Sequence, residues 1–431
     1  RALFYELDME DAPGTSIGWS HWNDSSPIPI DMMAIVSCRI LDSADHALYA
    51  GGERLAVMGN HFDDSGNSHL TRIWQAYRSV IQHNMHSHSN TDNMNGRLSM
   101  KLHSTANRPE GVWGAETREL CPMTEAGGCL ENSTSFTVVS DNVYGGTAYM
   151  VSIGAQDAVT ETDVVDMIFE RNKLIPAFDP GAKGTSLALI VGATYTSVRN
   201  NIFDLSDSIE SVNAIELPDI ANRTNSTNWI YNNSLYRQDA SNDWNKFVVI
   251  GASYSNSIIR NNLLYLPNTT GPVLIIDDDG SATIETNNVR VDTSPYFDPS
   301  NANLLSRNFS LLETATDAID QGRQVAVYDD FLGNMRDGAM DIGAFNFSSS
   351  SEVVVEAEIR ADVNQDDNID LSDVALILRN ILGFSMTEMD WYNGATTGDV
   401  NCDGQVNLSD SALVLRASLG ISMTDTTWCV D

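Results

Sequence analysis

The sequence is poor in positive charge: 24 Lys and Arg stand against 59 Asp and Glu, and the only lysines are Lys101, Lys173, Lys183 and Lys246. A formal net charge of −35 argues against nucleic acid and an anionic membrane as main partners, because phosphate is repelled. It suits surroundings rich in calcium or salt, where cations screen the self-repulsion. Long apolar runs are missing as well. No stretch of about eighteen apolar residues occurs, so nothing reads as a membrane span. Cysteine is scarce, five in 431 residues. Cys121 and Cys129 flank a short loop and could bridge, as could Cys402 and Cys429, which leaves Cys38. Two bridges and one buried thiol fit a secreted, extracellular or cell-surface protein; reduced cysteines throughout fit too. Neither an initiator Met nor a leader precedes Arg1, so the chain reads as a mature or partial product. Hydrophobic residues are not lacking. At 42% of 431 residues they suffice for two or three folded domains.

A short apolar strand followed by Asn recurs along the first two thirds, at Asn60, Asn84, Asn142, Asn172, Asn201, Asn233, Asn262 and Asn288. The spacings are 24, 58, 30, 29, 32, 29 and 26 residues. A near-constant period of this kind marks a solenoid. The 58 corresponds to two coils, or to one coil carrying a long insertion around Cys121 and Cys129. One period upstream, Cys38 in IVSCRI stands at the Asn position. The pattern predicts a right-handed parallel β-helix, each coil stacking short strands on those of the next. Asn suits the turn because it tolerates a left-handed backbone, and stacked Asn side chains can bond from coil to coil.

After the last repeat, Ile319, Asp320 and Gly322 are followed by Asp341, Ile342, Gly343, Ala344 and Phe345. This resembles the closing segment of many secreted right-handed β-helix proteins. With the Asn repeat, the resemblance covers roughly residues 30 to 347. It implies a fold and not a reaction. A polar break at Ser348 to Ser351 opens a linker through residue 361.

The last seventy or so residues hold two copies of one loop, DVNQDDNIDLSD from Asp362 and DVNCDGQVNLSD from Asp399, 37 residues apart. Side-chain oxygens stand at Asp362, Asn364, Asp366, Asp370 and Asp373, and at Asp399, Asn401, Asp403, Asn407 and Asp410. Asn368 and Gln405 occupy the position that offers a backbone carbonyl. Calcium takes six to eight oxygens, and alternate residues of a tight loop supply them, so two ions are expected. Ile369 and Val406 can pair the loops back to back. Each loop runs into an amphipathic segment. The paired loops, each followed by one helix, resemble dockerins of type I. The resemblance implies a small α-helical calcium-binding module that docks on a cohesin-like domain, with partner contacts from Leu371, Ser372 and Arg379 and from Leu408, Ser409 and Arg416. Gly404 supplies the positive φ that the turn needs, whereas the first loop has Asp367 there, which predicts a weaker first site.

All eight His fall between His21 and His103. Aligning the coils places Tyr49, Arg72 and Lys101 in one outward row, with His46, His69 and Arg97 just before it: a basic patch in an acidic field. The β-helix is a common fold of polysaccharide lyases and of some glycoside hydrolases. A lyase must neutralise a uronate carboxylate and remove the adjacent proton. On that reading Arg72 or Lys101 is the base, and His69, Arg97 and His103 bind or neutralise. Surface His and Arg pairing with the abundant carboxylates would give the same pattern. A His86–Asn90 HSHSN run lacks a matching partner segment for a metal. The sequons at Asn132, Asn225, Asn268 and Asn308 carry little weight in so Asn-rich a chain.

The expectation is therefore mainly β: a β-helix over residues 1–347, a linker over 348–361 and a dockerin-like module over 362–431. It is a secreted, calcium-binding protein that binds or cleaves acidic polysaccharide, anchored through its C-terminal module. The alternative is a structural subunit of an extracellular filament. The opening RALFYELDMEDAPG offers no amphipathic capping helix, and an uncovered end could stack on a neighbouring subunit.

Overall fold

The computed structural model describes residues 2–18, 31–66, 68–87, 98–103, 134–145, 149–154, 164–175, 187–206, 213–219, 227–237, 246–267, 274–292, 296–301, 303–336 and 338–347. In the C-terminal part it describes 361–364, 368–369, 371–381, 386, 398–418, 423 and 428. The chain forms two compact units, Arg1–Phe347 and Ser348–Asp431.

The first unit is a parallel β-helix. Its described strands pair in parallel with the strand one coil earlier and one coil later, in a continuous stack. Each coil contributes to three faces. Face one includes Thr71–Tyr77, Leu98–His103, Tyr149–Gly154 and Leu187–Gly192; face two includes Val80–Gln82, Thr134–Ser140, Val164–Glu170 and Ser197–Arg199. Face three is the 10-stranded stack that runs from Asp8–Met9 to Val289–Val291. Leu48–Met58 bends from face one into face two and pairs with both sets of neighbours.

The Asn repeat turns face two into face three. Asn142 shows the pattern: its Nδ2 donates to the Ile81 carbonyl at 3.0 Å and to Asn172 Oδ1 at 3.0 Å, and its Oδ1 accepts from Asn84. The chain of amides continues from Asn60 to Asn288. Asn84 bonds directly to Asn142, and Val80–Gln82 pairs with Val138–Ser140. The 58-residue step is thus one coil with an insertion. Cys38 heads the row, its N–H donating to Asn60 Oδ1 at 2.9 Å. The left-handed backbone lies one residue earlier than the sequence suggests, at Gly59, His83, Asp141, Arg171, Asn200, Asn232, Asn261 and Asn287. The ladder Asn is needed for its side chain, which must lie along the axis, so its neighbour takes the turn.

Inside, apolar residues stack coil on coil, Val139 on Phe169 on Val198 and Leu174 on Phe203 on Leu235. His86 belongs to this stack. It is buried between Phe62 (5.2 Å) and Tyr144 (4.8 Å), so it faces the core rather than a metal. His88 and Asn90 of the HSHSN run lie outside the described residues. In the last coil the inward positions change character: Glu285 follows Ile259 and Arg290 follows Leu264.

Residues 296–347 run back along the outside. Tyr296, Phe297, Phe309 and Phe345 form a second apolar cluster against Tyr236, Leu263 and Tyr265 of face three. The left-handed Asn residues hold this segment: Asn232 donates to the Asp341 carbonyl, Asn261 to that of Arg323 and Asn287 to that of Gln321. Asp341 accepts the N–H of Asp320 and of Phe347, which closes the Ile-Asp…Asp-Ile-Gly motif on itself. Gly343 has φ +102, and a Cβ there would lie only 3.0–3.2 Å from Ser234 and Leu263, tighter than ordinary packing.

The second unit packs helix α1 (Leu371–Ile381) and helix α2 (Leu408–Ser418) around Val363, Val374, Ile377, Val400 and Val414. Ile369 and Val406 pack against this small core from the two loops.

Candidate functional sites

Each C-terminal loop ends in the first turn of a helix, and the Asp that enters that turn ties the loop shut. Asp410 is buried and accepts the N–H groups of Val400 (3.0 Å), Asn401 (3.2 Å) and Asn407 (2.9 Å). Asp373 is buried likewise and accepts from Val363 at 2.8 Å. Asn364 bonds Ser372 Oγ as Asn401 bonds Ser409 Oγ, so the loops match where both are described. In the second loop Asp399 accepts from the N–H groups of Asp403 and Gly404, and Gly404 has φ +85. The amides of Asn401 and Asn407 turn their NH2 groups toward Asp403 Oδ2, at 3.1 and 3.5 Å. Rotating either amide by half a turn presents its carbonyl oxygen instead, so the donor set suits a hard cation. Among the described residues no three His, Cys, Asp or Glu side chains stand together as a metal site; these Asn oxygens and backbone carbonyls have to complete the shell. Gln405 is exposed and Asn368 is exposed. Asp366, Asp367 and Asp370 lie outside the described residues, as does the side chain of Leu371. Leu408, Ser409 and Ser372 are exposed, and Arg379 and Arg416 sit in the last turns of their helices. Cys402 is disulfide-bonded, and Cys121, Cys129 and Cys429 lie outside the described residues.

On face one, register brings Tyr49 opposite Arg72 and Arg72 opposite Lys101. Their neighbours Ala50, Ile73, Met100 and Leu102 point inward and are buried, so the row points out because alternation requires it. The Arg72 guanidinium lies 5.7 Å from the centre of the Tyr49 ring, and its Nε donates to His103 Nε2 at 3.0 Å. His103 is buried and lies on the same outward side as Lys101. His69 receives the Leu98 N–H on Nδ1 at 3.0 Å, which puts its own proton on Nε2. Burial first, then the charges of Lys101 and Arg72, lowers its pKa to about 3. His69 is therefore a neutral hydrogen-bonding group and adds no positive charge. Arg97 lies outside the described residues. The structure adds two residues that the sequence did not single out, Ser68 and Asp45, both beside His46. His46 Nε2 lies 2.8 Å from Ser68 Oγ, and its Nδ1 lies 3.3 Å from Asp45 Oδ2. Ser68 is 22 residues from His46, and only the coil period reveals that they meet.

Residues 360–419 match the Dockerin type I domain family, so the C-terminal unit contains a dockerin domain. No curated protein sequence matches the chain. Among solved structures, pectate lyase Pel9A is similar, with a TM-score of 0.38, 10% identity, and coverage of 81% of this chain and 97% of that one. A likeness of that degree says nothing about the reaction.

Proposed function

We propose that this is an extracellular, dockerin-borne β-helix protein that binds acidic polysaccharide at the cationic row of face one. The carrying observation is the in-register row Tyr49–Arg72–Lys101 on a chain of net charge −35. The net charge repels a polyanion from the chain as a whole, so a local cluster of cations decides where it lands. Arg72 and Lys101 meet carboxylates, and the ring of Tyr49 offers an apolar platform for a sugar face. His69 and His103 add hydrogen bonds. Cleavage by proton removal next to a carboxylate would assign the base to Arg72 or Lys101. Titration calorimetry with a soluble polyuronate and with an uncharged glucan tests the reading, alongside the Arg72→Gln/Lys101→Gln double variant. Binding of the polyuronate alone, weakened at least about tenfold by the double substitution, is expected; equal binding of both polymers would sink it. Release of unsaturated products, followed in the ultraviolet, separates cleavage from binding.

The dockerin module supplies the anchor. We assign one calcium to each loop, held by Asp362, Asn364, Asp366, Asn368, Asp370 and Asp373 and by Asp399, Asn401, Asp403, Gln405, Asn407 and Asp410. The partner surface is built from Leu371, Ser372 and Arg379 and from Leu408, Ser409 and Arg416, and a cohesin is the partner. The filament reading needs ends that accept another coil. Glu285 and Arg290, at inward positions of the last coil, oppose that at one end, because a stacked coil would bury both charges.

A further inference from the structure

Beside the cationic row, residues from successive coils meet in an arrangement that binding does not require. Ser68 Oγ lies 2.8 Å from His46 Nε2. On the other side of the ring, Nδ1 lies 3.3 Å from Asp45 Oδ2, and the Thr15 hydroxyl donates to that same oxygen at 3.3 Å. A carboxylate only accepts, so the ring carries its proton on Nδ1 and turns the Nε2 lone pair to the Ser68 O–H. The His46 carbonyl is fixed by the Ser16 N–H at 3.0 Å, and the Ser68 carbonyl by the Ser65 hydroxyl at 2.9 Å. His46 is buried while Ser68 is only half-buried, so the base is the more shielded of the two. Burial lowers the His46 pKa against the pull of Asp45, which keeps the ring neutral at neutral pH. Nucleophile, base and orienting carboxylate are thus within reach of one another.

We propose that Ser68, His46 and Asp45 form a serine-type ester-hydrolysing site on the side of the β-helix. Ser68 Oγ attacks the ester carbonyl as its proton passes to His46 Nε2. The carbonyl–alkoxy bond then breaks, and His46 returns the proton to the departing alkoxide oxygen, leaving an acyl group on Ser68. Water, losing a proton to Nε2, attacks that acyl group; the acid leaves and Ser68 regains its proton. The donors at hand for the carbonyl oxygen are Arg72, which lies over the Tyr49 ring whose centre is 5.1 Å from that of His46, and the Nε2–H of His69, whose ring centre lies 6.2 Å from that of His46. The natural substrate class, an acyl or methyl ester on an acidic polysaccharide, rests on the reading of the neighbouring row; the ester chemistry does not.

The test treats the full chain with a fluorophosphonate and maps the adduct by peptide mass spectrometry, with p-nitrophenyl acetate turnover measured in parallel. One adduct on the Ser68 peptide is expected, abolished in Ser68→Ala and His46→Gln, with turnover falling about a hundredfold or more in both and in Asp45→Asn. Circular dichroism confirms that each variant is folded. No adduct on Ser68, or an adduct and turnover that persist in His46→Gln, overturns the proposal. The probes contain neither sugar nor carboxylate, so their outcome is independent of whether the polyuronate binds.

Discussion

At the scale of single residues, buried polar groups carry the specificity of this fold, and their cost sets clear expectations. Asn201 accepts from Asn172 and donates to the Phe169 carbonyl (3.0 Å) and to Asn233 (2.9 Å). Asn201→Ala strands these partners in the interior and is expected to destabilise the β-helix by about 3 kcal/mol or more. A urea denaturation curve checks this, with Asn308→Ala as the exposed control. His86 gives a pH signature. Its burial lowers the pKa from 6.5 to about 3, so the unfolded chain binds the proton more readily between those values. The stability due to neutral His86 is complete above pH ~6.5 and falls as the pH drops toward ~3. His86→Phe, which keeps a ring between Phe62 and Tyr144, is expected to lose about 2 kcal/mol less than the wild type between pH ~7 and ~5. Equal losses in paired urea titrations would show that His86 takes up its proton without unfolding.

At the scale of elements, the coil stack tolerates almost no change of backbone spacing where two glycines meet. Gly154 has φ +91, and a Cβ there would lie 2.1 Å from the carbonyl oxygen of Gly192 in the next coil. Gly154→Ala must push two face-one strands apart, and a loss of at least about 3 kcal/mol or failure to fold is expected. Gly333→Ala has a similar φ, +83, but nothing within 4 Å, so it should cost only about 1 kcal/mol. Thermal melts of the two variants side by side separate collision from backbone strain. The Asn repeat was legible because each coil needs the same side chain at the same corner. The position of the left-handed residue was not, because Gly, His, Asp, Arg and Asn all take it there and share no chemical signature. The grip of Asn232 and Asn261 on residues 316–347 was equally hidden, since its partners are backbone carbonyls.

For the whole molecule, two compact units with separate cores predict two separable responses. Chelating calcium from the intact chain should abolish the helical signal of α1 and α2 and any cohesin binding, and leave the β-helix transition in place. Calorimetry with and without chelator measures this; a single transition that shifts as a whole would mean that the units unfold as one. Strong acidity adds a salt response. Polyuronate binding should weaken as ionic strength rises, whereas cohesin binding through the proposed contacts of Leu371 and Leu408 should change less.

The sequence by itself determined the periodic part of this protein. Repeats of one strand and one Asn specify a stack because the same contact is remade in every coil, and the duplicated Asp-Asn loops announce calcium because the ion dictates ligand spacing along the chain. The row Tyr49–Arg72–Lys101 was visible too, once the period was known. The tertiary structure alone decided what depends on distance in space rather than along the chain. It placed His86 in the core, made His69 a neutral donor, turned residues 296–347 back onto the coils and brought Ser68 to His46. Such encounters are set by side-chain direction and by coil register, to which a pattern of residue types is blind.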